Sequence, residues 1–335
     1  MKKVHWLPFV LFACIISLSF NDMGSSSHFR IQKLTTGVWA AINNDSMGHA
    51  ICNAGIVDLG DKTLVFDPFM NPDAAADLRK AAESLTGRPV SLVVNSHFHN
   101  DHIRGNQLFV PAARILSTEW TRRKLMQNEP EELAWERENA AKQLQSLKKA
   151  YPAADPMIRR EQLLFLGYFD GMVKNSAMVK TTPPDITFSD SLWIHGSKRS
   201  VRLLERRGHT ESDIILQLVA DSIAFMGDLL FEKRHPWMSD GRPREWQNLL
   251  EDPGMNAPFR VFVPGHGRVS GTETLKTLAQ YLRSMSAIAT EGVRKGLPDS
   301  VISASPLPGL YDDWSFRRFV APNLAFLAGS ERARK

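Results

Sequence analysis

Three imidazoles and a carboxylate stand within six consecutive residues, at His97, His99, Asp101 and His102, directly after the apolar run of residues 90–96. A strand ending at Ser96 releases the chain into a tight loop. There His97 and His99 point one way, while Asp101 and His102 turn toward a neighbouring position, so one loop can feed two ions. Neutral imidazole and carboxylate suit a borderline divalent cation such as zinc. A catalytic zinc takes three protein ligands and keeps a position for water, so further donors are required downstream.

Three places supply them, each reading as the end of a strand that runs into a loop. Gly208-His209-Thr210 follows residues 201–204, Gly227-Asp228 follows residues 222–226, and Pro264-Gly265-His266-Gly267 follows residues 261–263. Glycine beside each donor lets the backbone turn tightly and approach an ion. Scattered histidines usually serve in the core or at the surface, but this set takes five of the ten in the chain. A structural zinc site would be closed and commonly cysteine-rich, and neither Cys14 nor Cys52 is expected near a proposed donor.

The ordered motifs HxHxDH, GHT, a strand-end Asp and PGHG resemble those of metallo-β-lactamase-fold hydrolases, over roughly residues 30 to 290. The resemblance implies an α/β protein, an αββα sandwich with helices outside two packed sheets, binding two Zn2+ per chain. His97, His99 and His209 would hold the first ion, and Asp101, His102 and His266 the second. Asp228 would bridge both. Asp67, in Leu64-Val65-Phe66-Asp67-Pro68, matches an acidic position that accepts the free N–H of a ligand imidazole; a helix or turn cap is the alternative.

The chain has 335 residues, 43% of them hydrophobic, and a net charge of +5. That is enough to bury a full core, long for one domain and short for three. Lys2 and Lys3, a largely apolar stretch to Phe20 and the spacer Ser25-Ser26-Ser27 read as a bacterial secretory signal. The expected location is periplasmic or secreted. The stretch is too short and too interrupted, by His5 and Pro8, for a stable membrane span. Lipidation at Cys14 is a lesser alternative, because Phe12 fits a lipoprotein box poorly. Cys52, in an apolar strand, reads as a buried inert thiol.

The organisation expected is a signal and spacer at 1–27, the main domain at 28–297 with a helical insertion at about 118–184, and a C-terminal extension at 298–335 packing on the domain. Residues 38–66 read as alternating strands. Asn71-Pro72 starts a helix with Asn71 as cap, and residues 90–95 form the strand that delivers the histidine loop. A second half begins near Ile186 with short strands, followed by a helix from about Thr272 to Lys295. In the insertion, Leu133, Ala140, Leu144, Leu147 and Tyr151 form a helical stripe. These helices either pack on the second sheet or form a lid over the site. Residues from Leu310 to Leu327 read as a final amphipathic helix.

Two zinc ions can share a hydroxide formed near neutral pH, which would attack a carbonyl. Asp101 is the catalytic residue expected to orient that hydroxide and carry its proton. His235 and Trp237 would line the pocket mouth as donor and apolar wall, with plain loop packing as the alternative. The bond cut is an amide or β-lactam, a lactone or an ester, in a small-molecule substrate. A bridging Asp228 resembles the glyoxalase II and acyl-homoserine-lactone lactonase pattern, so a glyoxalase II-like thioesterase is the alternative. The secretory start argues against cytosolic glutathione thioesters. A phosphodiesterase or nuclease of the same superfamily is a different class; with no dense basic and aromatic groove, nucleic acid is not expected. Oligomeric state is open. For a β-lactamase, Arg104 and Lys233 are the basic candidates for gripping a substrate carboxylate.

Overall fold

The computed structural model describes residues 26–334; the secretory segment read at 1–27, with Cys14, lies almost wholly outside them. No helix among the described residues is long and apolar enough to cross a membrane.

Two sheets form. The first takes β1 (Phe29–Thr35), β2 (Val38–Asn43), β3 (Ala54–Asp58), β4 (Thr63–Phe66), β5 (Val90–Val94), β6 (Arg114–Thr118) and β7 (Ile186–Phe188) in that spatial order. Pairing is antiparallel from β1 to β4 and parallel from β4 to β7. The second sheet has β8 (Ser191–His195), β9 (Ser200–Arg206), β10 (Asp213–Leu218), β11 (Ile223–Phe231) and β12 (Val261–His266), with only the β11–β12 pair parallel. The helices are α1 (Pro72–Thr86), α2 (Asn100–Ile103), α3 (Glu119–Ala150), α4 (Pro156–Asn175), α5 (Pro243–Glu251), α6 (Pro253–Asn256), α7 (Thr272–Arg294), α8 (Asp299–Ser303) and α9 (Val320–Arg332).

The layers follow from which face of each strand is apolar. Val57, Leu64, Phe66, Val94 and Leu116 of the first sheet meet Leu203, Ile214, Leu216 and Phe225 of the second in the central core. On the far side of the first sheet, Ala74, Ala75, Leu78, Ala81 and Ala82 of α1 pack on Val65, Val93 and Ile115; the small alanines let helix and sheet approach closely. α5, α7 and α9 cover the second sheet with Trp246, Leu278, Leu282 and Leu324. This is the αββα sandwich.

Parallel neighbours need a crossover connection, and the one joining β6 to β7 is the insertion, made of α3 and α4. Thr118 Oγ1 caps α3 by accepting from Thr121 N–H at 3.1 Å. Leu133, Ala140 and Leu144 pack on Leu166, Phe169 and Met172 of α4 and on Ile51 and Met70 of the first half. The helices therefore do not lie on the second sheet. Arg104, 3% exposed, ties them down through Glu129 at 2.7 Å and Glu136 at 2.5 Å.

Four expectations need correction. β1 and β6 carry no clear alternation and were not expected. Ile186 belongs to the first sheet, because β7 pairs with β6, so the second sheet starts at Ser191. Asn71 occupies the cap position of α1, but its Nδ2 donates to the His49 carbonyl instead. The last helix begins at Val320; short 3-10 turns occupy Gly309–Tyr311 and Arg317–Phe319, while Tyr311 and Trp314 pack into the α7–α9 core.

Candidate metal centre and substrate cavity

The proposed donors gather at one rim of the sandwich. β5 delivers His97, the N-cap of α2 is His99, and Asp101 and His102 sit on α2 itself, so a helical turn replaces the expected loop. His209 lies between β9 and β10, in a turn braced by Asp213, whose carboxylate accepts from Thr210 N–H at 2.8 Å and Oγ1 at 3.0 Å. Asp228 lies within β11, which continues to Phe231 instead of ending at Met226. His266 ends β12. Two glycines make this convergence possible. Gly227 has φ +51°, and a Cβ there would sit 2.7 Å from the Ser96 Cβ; a Cβ on Gly265 would sit 1.9 Å from Asp228 Oδ1.

Two clusters share Asp228. In the first, His99 Nδ1 stands 3.0 Å from His97 Nε2 and 2.9 Å from His209 Nε2. His97 Nδ1 faces Ser96 Oγ at 2.9 Å, and His99 Nε2 faces Asp240 Oδ2 at 3.1 Å. With the ring protons on those outer nitrogens, His97 and His99 turn lone pairs toward a single point, an arrangement that a proton or a metal cation between them relieves. In the second cluster, His266 Nε2 lies 3.3 Å and His102 Nε2 3.5 Å from Asp101 Oδ2. Asp228 directs Oδ2 toward His209 Nε2, 3.4 Å away, and Oδ1 toward His102 Nε2 and His266 Nε2, at 3.2 and 3.4 Å. Buried His102 Nε2 and Asp228 Oδ1 face each other yet neither makes a hydrogen bond. Both donor sets, His97, His99, His209 and Asp228 on one side and His102, Asp228 and His266 on the other, have ligand atoms within 4.8 Å of one another. The residues fit divalent cations.

Charge varies within the clusters as well as between them: burial disfavours a charged His99, but the Asp240 carboxylate outweighs it and raises that ring. Burial holds His97 well below the usual imidazole range and pushes His209 down to about 3. Burial also disfavours a charged His266, but Asp228 and Asp101 outweigh it and raise that ring to about 9. Asp101, despite burial, is lowered to about 2 by His102 and His266. Asp67 is fully buried with φ +56°; it accepts from Ser96 N–H at 2.7 Å and faces His102 Nδ1 at 2.9 Å, which fixes that ring with Nε2 toward the cluster. Cys52, distant in sequence, is adjacent in space: its Sγ donates to the Asp101 carbonyl at 3.0 Å, and burial raises the thiol to about 12.

Above the clusters opens a cavity of about 810 Å³. His99, Asp101, His209, Asp228 and His266 form its floor. Trp135 of α3 and Phe165 and Tyr168 of α4 make one wall; Trp237, Phe316 and Phe319 make the other. The tail is fastened to the insertion, with Glu161 accepting from Arg317 N–H at 2.9 Å and Arg318 stacked 4.3 Å from the Phe165 ring centroid. Trp237 thus lines the cavity, and its Nε1 donates to Asp240 at 2.7 Å. His235 does not. It is 1% exposed, with Nδ1 3.1 Å from Tyr281 OH and its ring against Trp314, and burial lowers it to about 4. Of the aromatic walls the sequence marks Trp237 alone; Asp240, Glu132 and the remaining wall residues are found only in the structure, and a tryptophan off the buried stripe of α3 is the one further signal the sequence offers.

A two-sheet sandwich with imidazole and carboxylate donors on one rim defines a class of metal-dependent hydrolases. Residues 47–266 match the model of the metallo-beta-lactamase superfamily, and the chain belongs to it, as a hydrolase of that superfamily. The fold is similar to that of a metallo-beta-lactamase from Pontibacter korlensis, at 14% identity and TM-score 0.55, over 76% of this chain and 99% of that one. It is similar also to a metallo beta lactamase from Hirschia baltica, at 17% identity and TM-score 0.52 over 76% and 97%. The metallo-beta-lactamase FIM-1 from Pseudomonas aeruginosa in its mono-zinc form matches at 18% identity and TM-score 0.53 over 76% and 95%.

Proposed function

We propose that this protein is a dinuclear zinc hydrolase that cleaves an amide, lactone or ester carbonyl, exported by its N-terminal signal to act outside the cytoplasm. The observation that carries the reading is Asp228, whose two oxygens face two separate imidazole clusters. His97, His99 and His209 would hold one ion, Asp101, His102 and His266 the other, with Asp228 shared. When bound, zinc supplies Lewis acidity toward a carbonyl oxygen and makes water a nucleophile near neutral pH.

The chain's own groups do the rest. Asp101, ionised at any ordinary pH and opening into the cavity with a side chain 14% exposed, accepts the proton of the attacking water and returns it to the leaving atom. Asp67 and Asp240 orient His102 and His99. The aromatic walls exclude bulk water. The expected first result is about two zinc ions per chain, with carbonyl hydrolysis lost on chelation and restored by zinc, across nitrocefin, lactone, ester and thioester substrates. Phosphodiester cleavage alone would overturn the reading.

A further inference from the structure

Resting on that reading, we infer that the cavity selects substrates whose remote end, away from the bond being cut, is an apolar or aromatic group carrying a cationic amine, and that Glu132 is the selecting residue. Both basic residues placed to grip a substrate anion are committed elsewhere. Arg104 is buried between Glu129 and Glu136, and Lys233 pairs with Asp313 at 2.5 Å, outside the cavity. No lysine or arginine is among the described residues lining the cavity, whereas Glu131, Glu132, Glu136 and Asp240 are. Arg317 and Arg318 line the neighbouring groove behind Phe165.

Of the four carboxylates, Glu136 is neutralised by Arg104 and takes a hydrogen bond from Tyr168 OH, and Asp240 is engaged by His99 and Trp237. Glu131 is exposed. Glu132 is half-buried, accepts from Asn100 Nδ2 at 3.4 Å and forms no salt bridge among the described residues. Burial and the nearby Glu129 raise it to about 6, so it is charged at neutral pH and incompletely solvated. One helical turn on, Trp135 stays 51% exposed on the cavity wall. A carboxylate beside an open indole face is a receptor for an ammonium, through charge pairing and cation–π attraction. It repels an anion at the same place, which disfavours substrates whose remote end carries a carboxylate or a phosphate.

The test uses three probes with one phenylbutyl chain, ending in ammonium, hydroxyl or carboxylate, titrated by tryptophan fluorescence into metal-depleted protein at neutral pH. There no turnover occurs, and a carboxylate has no zinc to bind. Matched esters carrying the same three groups are hydrolysed in parallel by the zinc-loaded protein. The amine is expected to bind roughly tenfold more tightly than the carboxylate, with the alcohol between, and kcat/KM to follow that order. Glu132→Gln should remove the preference for the amine while leaving the alcohol unchanged, and Trp135→Ala should weaken amine and alcohol together. Equal or tighter binding of the carboxylate overturns the proposal, and an unchanged order in a folded Glu132→Gln protein overturns the assignment to Glu132. Failure of all ester hydrolysis alongside the expected binding order would sink the zinc-hydrolase reading alone.

Discussion

The floor and the walls of the cavity are built on opposite principles. The metal donors sit in strands, just after them or on the short helix α2, are buried except for the partly open His99 and Asp101, and are braced from behind: Asp67 on His102, Asp213 on the His209 turn, Ser96 on His97. The walls come from a long crossover, the segment after β11 that carries Trp237 and a tail, with rings such as Trp135 left open and exposed contacts such as Glu161 to Arg317 joining them. Rigid donors suit chemistry that needs fixed geometry. Adaptable apolar walls suit recognition, so reaction and selectivity should be separable by mutation.

The largest effect is expected on the floor. Asp228→Asn should lower kcat by at least about 10³-fold and reduce bound zinc, with circular dichroism unchanged; zinc content and turnover of the same preparation check this. Next comes the anchor joining the two regions. Arg104→Met strands Glu129 and Glu136 without a cation and should cost about 3–5 kcal/mol in denaturant unfolding, while replacing all three with apolar residues should recover most of it. Asp67→Asn should weaken zinc affinity about 10- to 100-fold by loosening His102, measured by competition with a chelator.

The smallest effect concerns His49, between Asp73 of α1 at 2.6 Å and Asp170 of α4 at 3.2 Å. Burial opposes its charge, but the hydrogen bond to Asp73 outweighs it and raises the ring above its ordinary value. Such a group contributes its stability in full below about pH 6.5 and loses it as pH rises through the raised value. The Tm difference between wild type and His49→Gln should therefore shrink as pH is raised from 6 toward 9, by an amount worth at most about 1 kcal/mol. A difference that grows with pH would contradict the charged latch.

The floor was legible because HxHxDH, Gly208-His209 and Pro264-Gly265-His266 concentrate rare donor types at strand ends. The paired apolar runs of β10 and β11 and the Pro72-to-Gly87 span of α1 were likewise marked by period and punctuation. Of the walls only Trp237 was, because the other residues meet only through tertiary packing. Phe316 and Phe319 lie far from Trp135 in sequence, and nothing in the local pattern distinguishes a cavity-facing phenylalanine from a core one. His235 shows the same limit in reverse: a histidine close in sequence to Asp228 is carried by the chain into the Tyr281–Trp314 core. The expectation that no cysteine lies near a donor fails likewise, because tertiary packing brings Cys52 Sγ to the Asp101 carbonyl.

The tail that supplies Phe316 and Phe319 follows every proposed metal donor along the chain. Trp237 of the same wall lies before His266, but Phe316 and Phe319 come from a segment beyond both sheets. α9 packs into the core it shares with α7, and the segment of residues 316–319 just before it closes one side of the cavity. A chain without residues 316–319 would keep every proposed donor yet leave the cavity open on that side, so discrimination among substrates would be lost while the donors remain.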